Sequence, residues 1–301
     1  MTALVVRTLA ESEARAVFTS LPDAGLVGRP LLGRPYRTLA EGGEYRPDWT
    51  WVAERDGVVV ARAAWWAAPE DREPLVLDWF DCPDQEAGVE LLRAMPRHPE
   101  YELILPAGWR NGPRVYAEAN SRIEAARSAG YRELVERFTY RWTPADGLPE
   151  CGDRLVFRPE PDDGVVLELL TRIQQGSLDA HEQAAGDPAR AAREELEFLN
   201  WCPSPRDWWR VACTPDGEVV GFQAPARNPH RPIVGFVGVL PEHRGRGYSY
   251  DLLVECTRQL AEAGAQEIAA STDLGNHPMA AAFARAGYPV DRHRYCMVHP
   301  G

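Results

Sequence analysis

The feature that most constrains this 301-residue chain is that much of its pattern occurs twice. Asp48-Trp49-Thr50-Trp51-Val52-Ala53 is echoed by Asp207-Trp208-Trp209-Arg210-Val211-Ala212, and Asp56-Gly57 by Asp216-Gly217. Residues 74–83 and 232–241 each hold an apolar run between two prolines. Ala126-Arg127-Ser128-Ala129-Gly130-Tyr131 matches Phe283-Ala284-Arg285-Ala286-Gly287-Tyr288. The offset stays at about 158 residues over all four landmarks, which identifies a duplicated domain. Each half is long enough to be a domain of ordinary size, and with 45% hydrophobic residues overall each can bury its own core.

Hydrophobic spacing and turn residues give the elements of each half. In the first, residues 4–8, 49–54, 57–66, 75–80, 101–105 and 138–142 read as strands. Residues 11–21, 86–95 and 122–129 read as helices, and 25–43, rich in Gly and Pro, as loop. In the second, residues 155–158, 233–239 and 267–272 read as strands, and 165–174 and 193–199 as helices. Residues 177–189 are mostly polar and small. Residues 143–153 hold prolines, glycines and acids and form the linker. The expected bounds are a first domain at 1–144, a linker at 145–153 and a second domain at 154–301.

The halves diverge after the second proline of each apolar run. In the second half, Val237-Gly238-Val239-Leu240-Pro241 leads through Glu242-His243 into Arg244-Gly245-Arg246-Gly247-Tyr248-Ser249, and a helix follows with Leu252, Leu253, Cys256 and Leu260 on one face. Gly245 and Gly247 let the backbone turn with no side chain in the way. Their amides, with those of the helix's first turn, can converge on an anion such as a diphosphate. A Walker loop would need a Lys that is absent, and a dinucleotide fingerprint would need a third Gly where Tyr250 stands, although Glu267 lies at about the right distance. In the first half the same place reads Asp84-Gln85-Glu86-Ala87-Gly88-Val89. Carboxylates there repel a diphosphate, so the first copy is expected to bind none.

Arg244 to Ser249 resembles the acyl-CoA loop of the GNAT superfamily of N-acyltransferases, Gln/Arg-x-x-Gly-x-Gly/Ala, with Arg244 and Gly247 matching and Ser249 departing from the last small residue. The strand ending in Leu240-Pro241 is similar to the one that precedes that loop. Downstream, Asn276-His277-Pro278-Met279, a helix and Gly287-Tyr288 resemble the next segment of the superfamily, in the same order. The resemblance implies an α/β (α+β) fold of two tandem GNAT-like domains, each a mixed, mostly antiparallel central sheet flanked by helices, the N-terminal copy being degenerate. It implies an N-acetyltransferase that moves acetyl from acetyl-CoA to a primary amine of a small molecule by direct attack. The alternative is a non-catalytic acyl-CoA-binding sensor or partner. The same resemblance puts the thioester against the amides of Val237, Gly238 and Val239, the diphosphate on Arg244, Gly245, Arg246, Gly247, Tyr248 and Ser249, and the pantetheine arm on Asn276.

The acid and base do not carry over. Phe283 stands where many members have a Tyr, and residues 233–239 contain no acid. Asp273 remains as a candidate base or as a cap of the turn before the helix. Tyr295, on the last strand, remains as a candidate acid or as a packing residue echoed by Tyr140. Catalysis without a protein base is a third option. His181, Glu182, Glu195 and Glu197 border the acceptor if the resemblance holds, or else lie on solvated helix faces. The tryptophans Trp65, Trp66, Trp79, Trp201, Trp208 and Trp209 either line an acceptor pocket or pack the core. The first copy either packs against the second or walls the acceptor pocket.

A net charge of -12 argues against general affinity for nucleic acid or an anionic membrane. The start, Met1-Thr2-Ala3-Leu4, has no basic segment leading into a long apolar core, and no apolar run approaches membrane length. Cys82, Cys151, Cys202, Cys213, Cys256 and Cys296 show no C-x-x-C pairing, so neither a metal nor a disulfide is expected. The expected setting is cytoplasmic, and the expected assembly a monomer or homodimer.

Overall fold

The computed structural model describes residues 3–160 and 162–300. The parts of the sequence reading that fall on Met1, Thr2, Pro161 and Gly301 lie outside the described residues. The chain divides into two compact units, one of Met1–Glu136 with Arg292–Gly301 and one of Arg137–Asp291.

The first unit contains β1 (Leu4–Thr8), α1 (Ala14–Phe18), β2 (Thr50–Arg55), β3 (Val58–Trp66), β4 (Val76–Asp81), α2 (Gln85–Ala94), β5 (Glu100–Pro106), α3 (Pro113–Ser128) and the start of β6 (Arg132–Trp142). Its sheet runs β1-β2-β3-β4-β5 and then β12 (Val290–Val298), antiparallel throughout except where β4 meets β5. One face of the sheet buries Leu91, Leu92, Ile123 and Ala126 of α2 and α3 against Leu77, Leu103 and Leu105. The other carries a cluster of Phe18, Tyr36, Tyr45 and Trp79.

The second unit contains β7 (Val156–Pro159), α4 (Asp163–Gln174), α5 (Ala180–Ala185), α6 (Pro188–Trp201), β8 (Arg210–Cys213), β9 (Val219–Arg227), β10 (Pro232–Val239), α7 (Tyr248–Glu262), β11 (Ile268–Asp273) and α8 (His277–Arg285). Its sheet runs β7-β8-β9-β10-β11-β6, again antiparallel except where β10 meets β11. The apolar faces of α7 and α8 bury Leu253, Val254, Leu260 and Phe283 against Tyr140, Trp142 and Ile268. On the opposite face Val166, Leu170 and Leu199 of α4 and α6 pack on Trp209 and Phe222.

The strand order is the same in both units, as a duplication requires, but the units' bounds differ from the halves read in the sequence. The last strand, which carries Tyr295, completes the first unit through pairs such as Tyr295 with Leu103. Residues 137–142 complete the second through pairs such as Tyr140 with Ala270. The two exchanged strands are copies of one another, so the exchange leaves the repeat pattern unchanged and invisible in sequence.

Smaller differences are local. Helix α3 begins at Pro113, well before residue 122, because Pro is suited to a helix's first position. Residues 29–32 and 39–41 form 3-10 turns within the expected loop. Trp65, Trp79 and Trp209 are buried in the cores, Trp66 and Trp208 pack against them, and Trp201 is exposed. Among the described residues no helix is long and apolar enough to cross a membrane.

Candidate functional site

The site begins where two strands part. β10 and β11 pair at Ile233 with Ala269, and no pair follows. On its other side β10 stays on β9, with a bulge between Val234 and Phe236. A bulge bends and twists its strand, which turns β10 away from β11. Glycine is required here by close approach. A Cβ on Gly235 would lie 2.6 Å from the Ala224 carbonyl oxygen, and one on Gly238 would lie 2.5 Å from Cγ2 of Ile173.

The gap is a cavity of about 690 Å³. Residues 234–239 line one side, and Ser271 and Thr272 the other. Gly245, Gly247, Tyr248, Ser249 and Asn276 line it too, as do Asp179, Glu182 and Glu195. The candidate donor residues Val237, Gly238 and Val239 are thus brought together with most of the glycine loop.

Gly245 and Gly247 both have φ of 77°, the left-handed region that glycine enters without strain. Gly247 is the N-cap of α7 and offers no side-chain cap. The first amides of a helix have no acceptor within it, and the dipole leaves that end partly positive. Arg154 fixes the loop by donating to the carbonyls of Arg246 at 3.0 Å and Gly247 at 3.4 Å. In the sequence Arg154 is far from the loop and gave no signal.

Arg244 lines the same cavity, and its side chain is held by backbone carbonyls. Its guanidinium donates to the carbonyls of Gln175 at 2.8 Å, Gly176 at 3.0 Å, Ile173 at 2.5 Å and Val239 at 3.2 Å. Ile173 lies in the last turn of α4, Gln175 is its C-cap and Gly176 follows, an end where a cation is favoured by the dipole. Arg244 therefore ties the end of β10 to the turn that leads to Ser177 and Asp179. Asn276 caps α8, its Oδ1 accepting from Met279 N at 3.3 Å, and it faces the cavity from there.

The wall that α5 and α6 give the cavity is acidic. Arg137, from β6, pairs with Asp179 at 2.8 Å and with Asp273 at 2.9 Å. Asp179 also caps α5, accepting from His181 N and Glu182 N. Glu182 accepts from the Ser177 hydroxyl, and burial pushes its carboxyl above the usual range. Glu195 Oε1 is shielded from solvent and, among the described residues, has no hydrogen-bond partner. Burial, reinforced by the carboxylates of Glu182 and Asp179 and opposed by Arg137, pushes the Glu195 carboxyl up to about 8. Of the four acceptor candidates, Glu182 and Glu195 line the cavity, whereas His181 and Glu197 do not.

The two candidates for acid and base lie elsewhere. Asp273 is buried but off the cavity wall, spent on Arg137 and on Ala180 N, which it accepts at 2.7 Å. It positions Arg137 and the start of α5. Tyr295 belongs to the first unit, where its hydroxyl donates to Glu133 and accepts from Arg127 at 3.1 Å. Burial and the Glu133 carboxylate raise its pKa, which suits a structural hydroxyl. Phe283 lines the cavity and has no proton to give.

Residues 173–288 match the acetyltransferase (GNAT) family. No curated protein matches the chain. Among solved structures, the chain is similar to a GCN5-related N-acetyltransferase from Sphaerobacter thermophilus, with a TM-score of 0.53 and 16% identity over 99% of this chain and 96% of that one. It is also similar to a GCN5-related glucosamine N-acetyltransferase region in a fungal multi-domain beta-N-acetylglucosaminidase, with a TM-score of 0.54 and 14% identity over 99% of this chain and 38% of that one. A tandem GNAT protein from the clavulanic acid biosynthesis pathway is similar at a TM-score of 0.48 and 16% identity, over 98% of each chain. At these identities the likeness to the first two of these structures is one of fold.

Proposed function

We propose that this GNAT superfamily chain, with its acetyltransferase region at residues 173–288, moves an acetyl group from acetyl-CoA to a primary amine of a small molecule. The observation that carries the reading is a single cavity lined by the glycine loop, by the parted strand β10 and by the Glu195 carboxyl. The loop amides from Gly245 to Ser249 hold the diphosphate, Asn276 meets the pantetheine arm, and the amides of Val237, Gly238 and Val239 face the thioester. Preorganised donors of this kind stabilise the oxyanion as it forms.

Glu195 takes the role of base in place of Asp273. A carboxyl titrating near neutral pH is matched to accepting a proton from an ammonium or amine. The amine nitrogen bonds to the acyl carbon and its proton passes to Glu195. The carbon–sulfur bond then breaks, and the thiolate takes a proton from water. The free cysteines suit a reducing cytoplasm, which is part of the same reading.

Calorimetric titration with acetyl-CoA, followed by thiol release over an amine panel, tests this. The base must be unprotonated to act, so kcat/KM should rise with pH and level off above about 8. Glu195→Gln should remove that limb and lower kcat by roughly 100-fold or more, with the Kd for CoA unchanged. Absence of CoA binding overturns the reading. CoA binding with no thiol release from any amine leaves a non-catalytic acyl-CoA binder instead.

A further inference from the structure

The charges around the acceptor end do not balance. Three carboxylates, on Asp179, Glu182 and Glu195, line the cavity. Two guanidiniums line it as well, those of Arg137 and Arg244. Arg137 is shared between Asp179 and Asp273, which is not on the wall. Arg244 gives its hydrogens to the carbonyls of Ile173, Gln175, Gly176 and Val239. His243, also on the wall, has Nε2 3.5 Å from Glu218 Oε1. Glu182 and Glu195 are left with no ion-pair partner among the described residues, and Glu195 Oε1 is buried with no hydrogen bond. The Glu195 carboxyl, pushed up to about 8, avoids the cost of a buried unpaired charge at neutral pH by holding its proton, which leaves Glu182 as the acid whose cost a bound cation would remove. The attacking amine cannot be that cation. The amine that attacks must lose its charge to react, so it cannot also stay as the counter-ion.

We propose that the acceptor carries at least two amino groups joined by an apolar spacer, one acetylated as the free amine and the other kept as an ammonium against Glu182. Phe236, Phe283, Leu178, Met279 and Val234 line the same cavity and supply apolar wall for methylenes. Acceptors bearing a carboxylate or phosphate are disfavoured, because they add a like charge to those already present. This rests on the acetyl-transfer reading above and narrows it to a substrate class.

The test compares 1,4-diaminobutane and spermidine with butylamine and 4-aminobutanoate in thiol release at saturating acetyl-CoA. The expected result is a kcat/KM for the diamine and the triamine at least about tenfold above butylamine, with 4-aminobutanoate below it. Glu182→Gln should erase most of that preference, and Glu182→Asp should restore part of it. An unchanged Kd for CoA shows that each variant is folded. Butylamine or 4-aminobutanoate equal to or better than the diamine overturns the proposal. A second readout separates the two readings, namely calorimetric titration of the same amines into the protein–CoA complex. Saturable binding of the diamine in preference to butylamine, without turnover, supports the acceptor class and sinks acetyl transfer. Neither binding nor turnover of the diamine overturns the acceptor class.

Discussion

The two units share a strand order and differ in what occupies the same gap. In each, the fourth strand pairs only briefly with the fifth, at Val76 and Leu77 of β4 and at Ile233 of β10. In the first unit the gap is bridged by the chain's own residues. Gly28 N donates to Ile104 O of β5 at 2.6 Å, and Arg29 pairs with Asp78 of β4 at 2.6 Å and with Glu44. Tyr45 donates to the same Asp78. In the second unit the gap is the cavity, and the segment after its first helix folds into α5 and α6, which bring carboxylates to the wall. The helix that follows differs in the same sense. Asp84 caps α2 by accepting from Ala87 N at 3.0 Å and pairs with Arg55, whereas α7 is capped by Gly247 alone. A common fold thus leaves room for two local differences, what plugs the parted strands and what caps the helix.

The largest expected effect comes from breaking the plug. Arg29→Ala leaves Asp78 buried without its cation and should cost about 3 kcal/mol in urea unfolding. Burial already pushes Asp78 up to about 7, so the loss should grow as pH rises through neutrality and the freed carboxyl is forced to ionise. The variant should still bind one CoA per chain, since Asp84 still caps α2. A second equivalent in calorimetry would break the comparison.

Next comes making α7 resemble α2. Gly247→Asp, or Ser249→Glu where the backbone is helical, puts a carboxylate where the diphosphate is proposed. Either should raise the Kd for CoA by about 100-fold, or about 2.7 kcal/mol. A Kd within threefold of the parent would dissociate the loop from CoA. Gly238→Ala presses a Cβ on Ile173 and on the Phe236 ring, at 2.5 and 2.7 Å. Overpacking of this kind should cost about 1–3 kcal/mol and raise the KM for acetyl-CoA through a shifted β10. The smallest effect is at Tyr295→Phe, which loses hydrogen bonds worth about 1 kcal/mol in the first unit and should leave kcat within twofold. A larger fall in kcat would return Tyr295 to the chemistry.

Much of the second unit was legible because its signals are local. The glycine loop, the helix that follows Asn276 and the proline-bounded strand are each encoded within a few residues, by backbone freedom and by what proline permits. Arg244 was legible as a loop residue, but its tie to the end of α4 was not. Its long side chain reaches the end of α4, which only packing brings near. Glu182 and Glu195 were visible as acids on helices, with nothing to separate them from Glu197, since a charge on a helix face looks the same whether the face meets water or a cavity. Tyr295 was misplaced because its strand is exchanged for its own copy.

The sequence by itself determined that the fold is built twice and that one copy carries the paired glycines that turn its backbone into a helix. Both follow from short-range pattern and from what glycine and proline permit. Tertiary structure alone decided which acids share a desolvated cavity, which arginine holds which carbonyls, and which unit each closing strand joins. Those outcomes depend on register and on the burial of charge, and neighbours in sequence do not fix either.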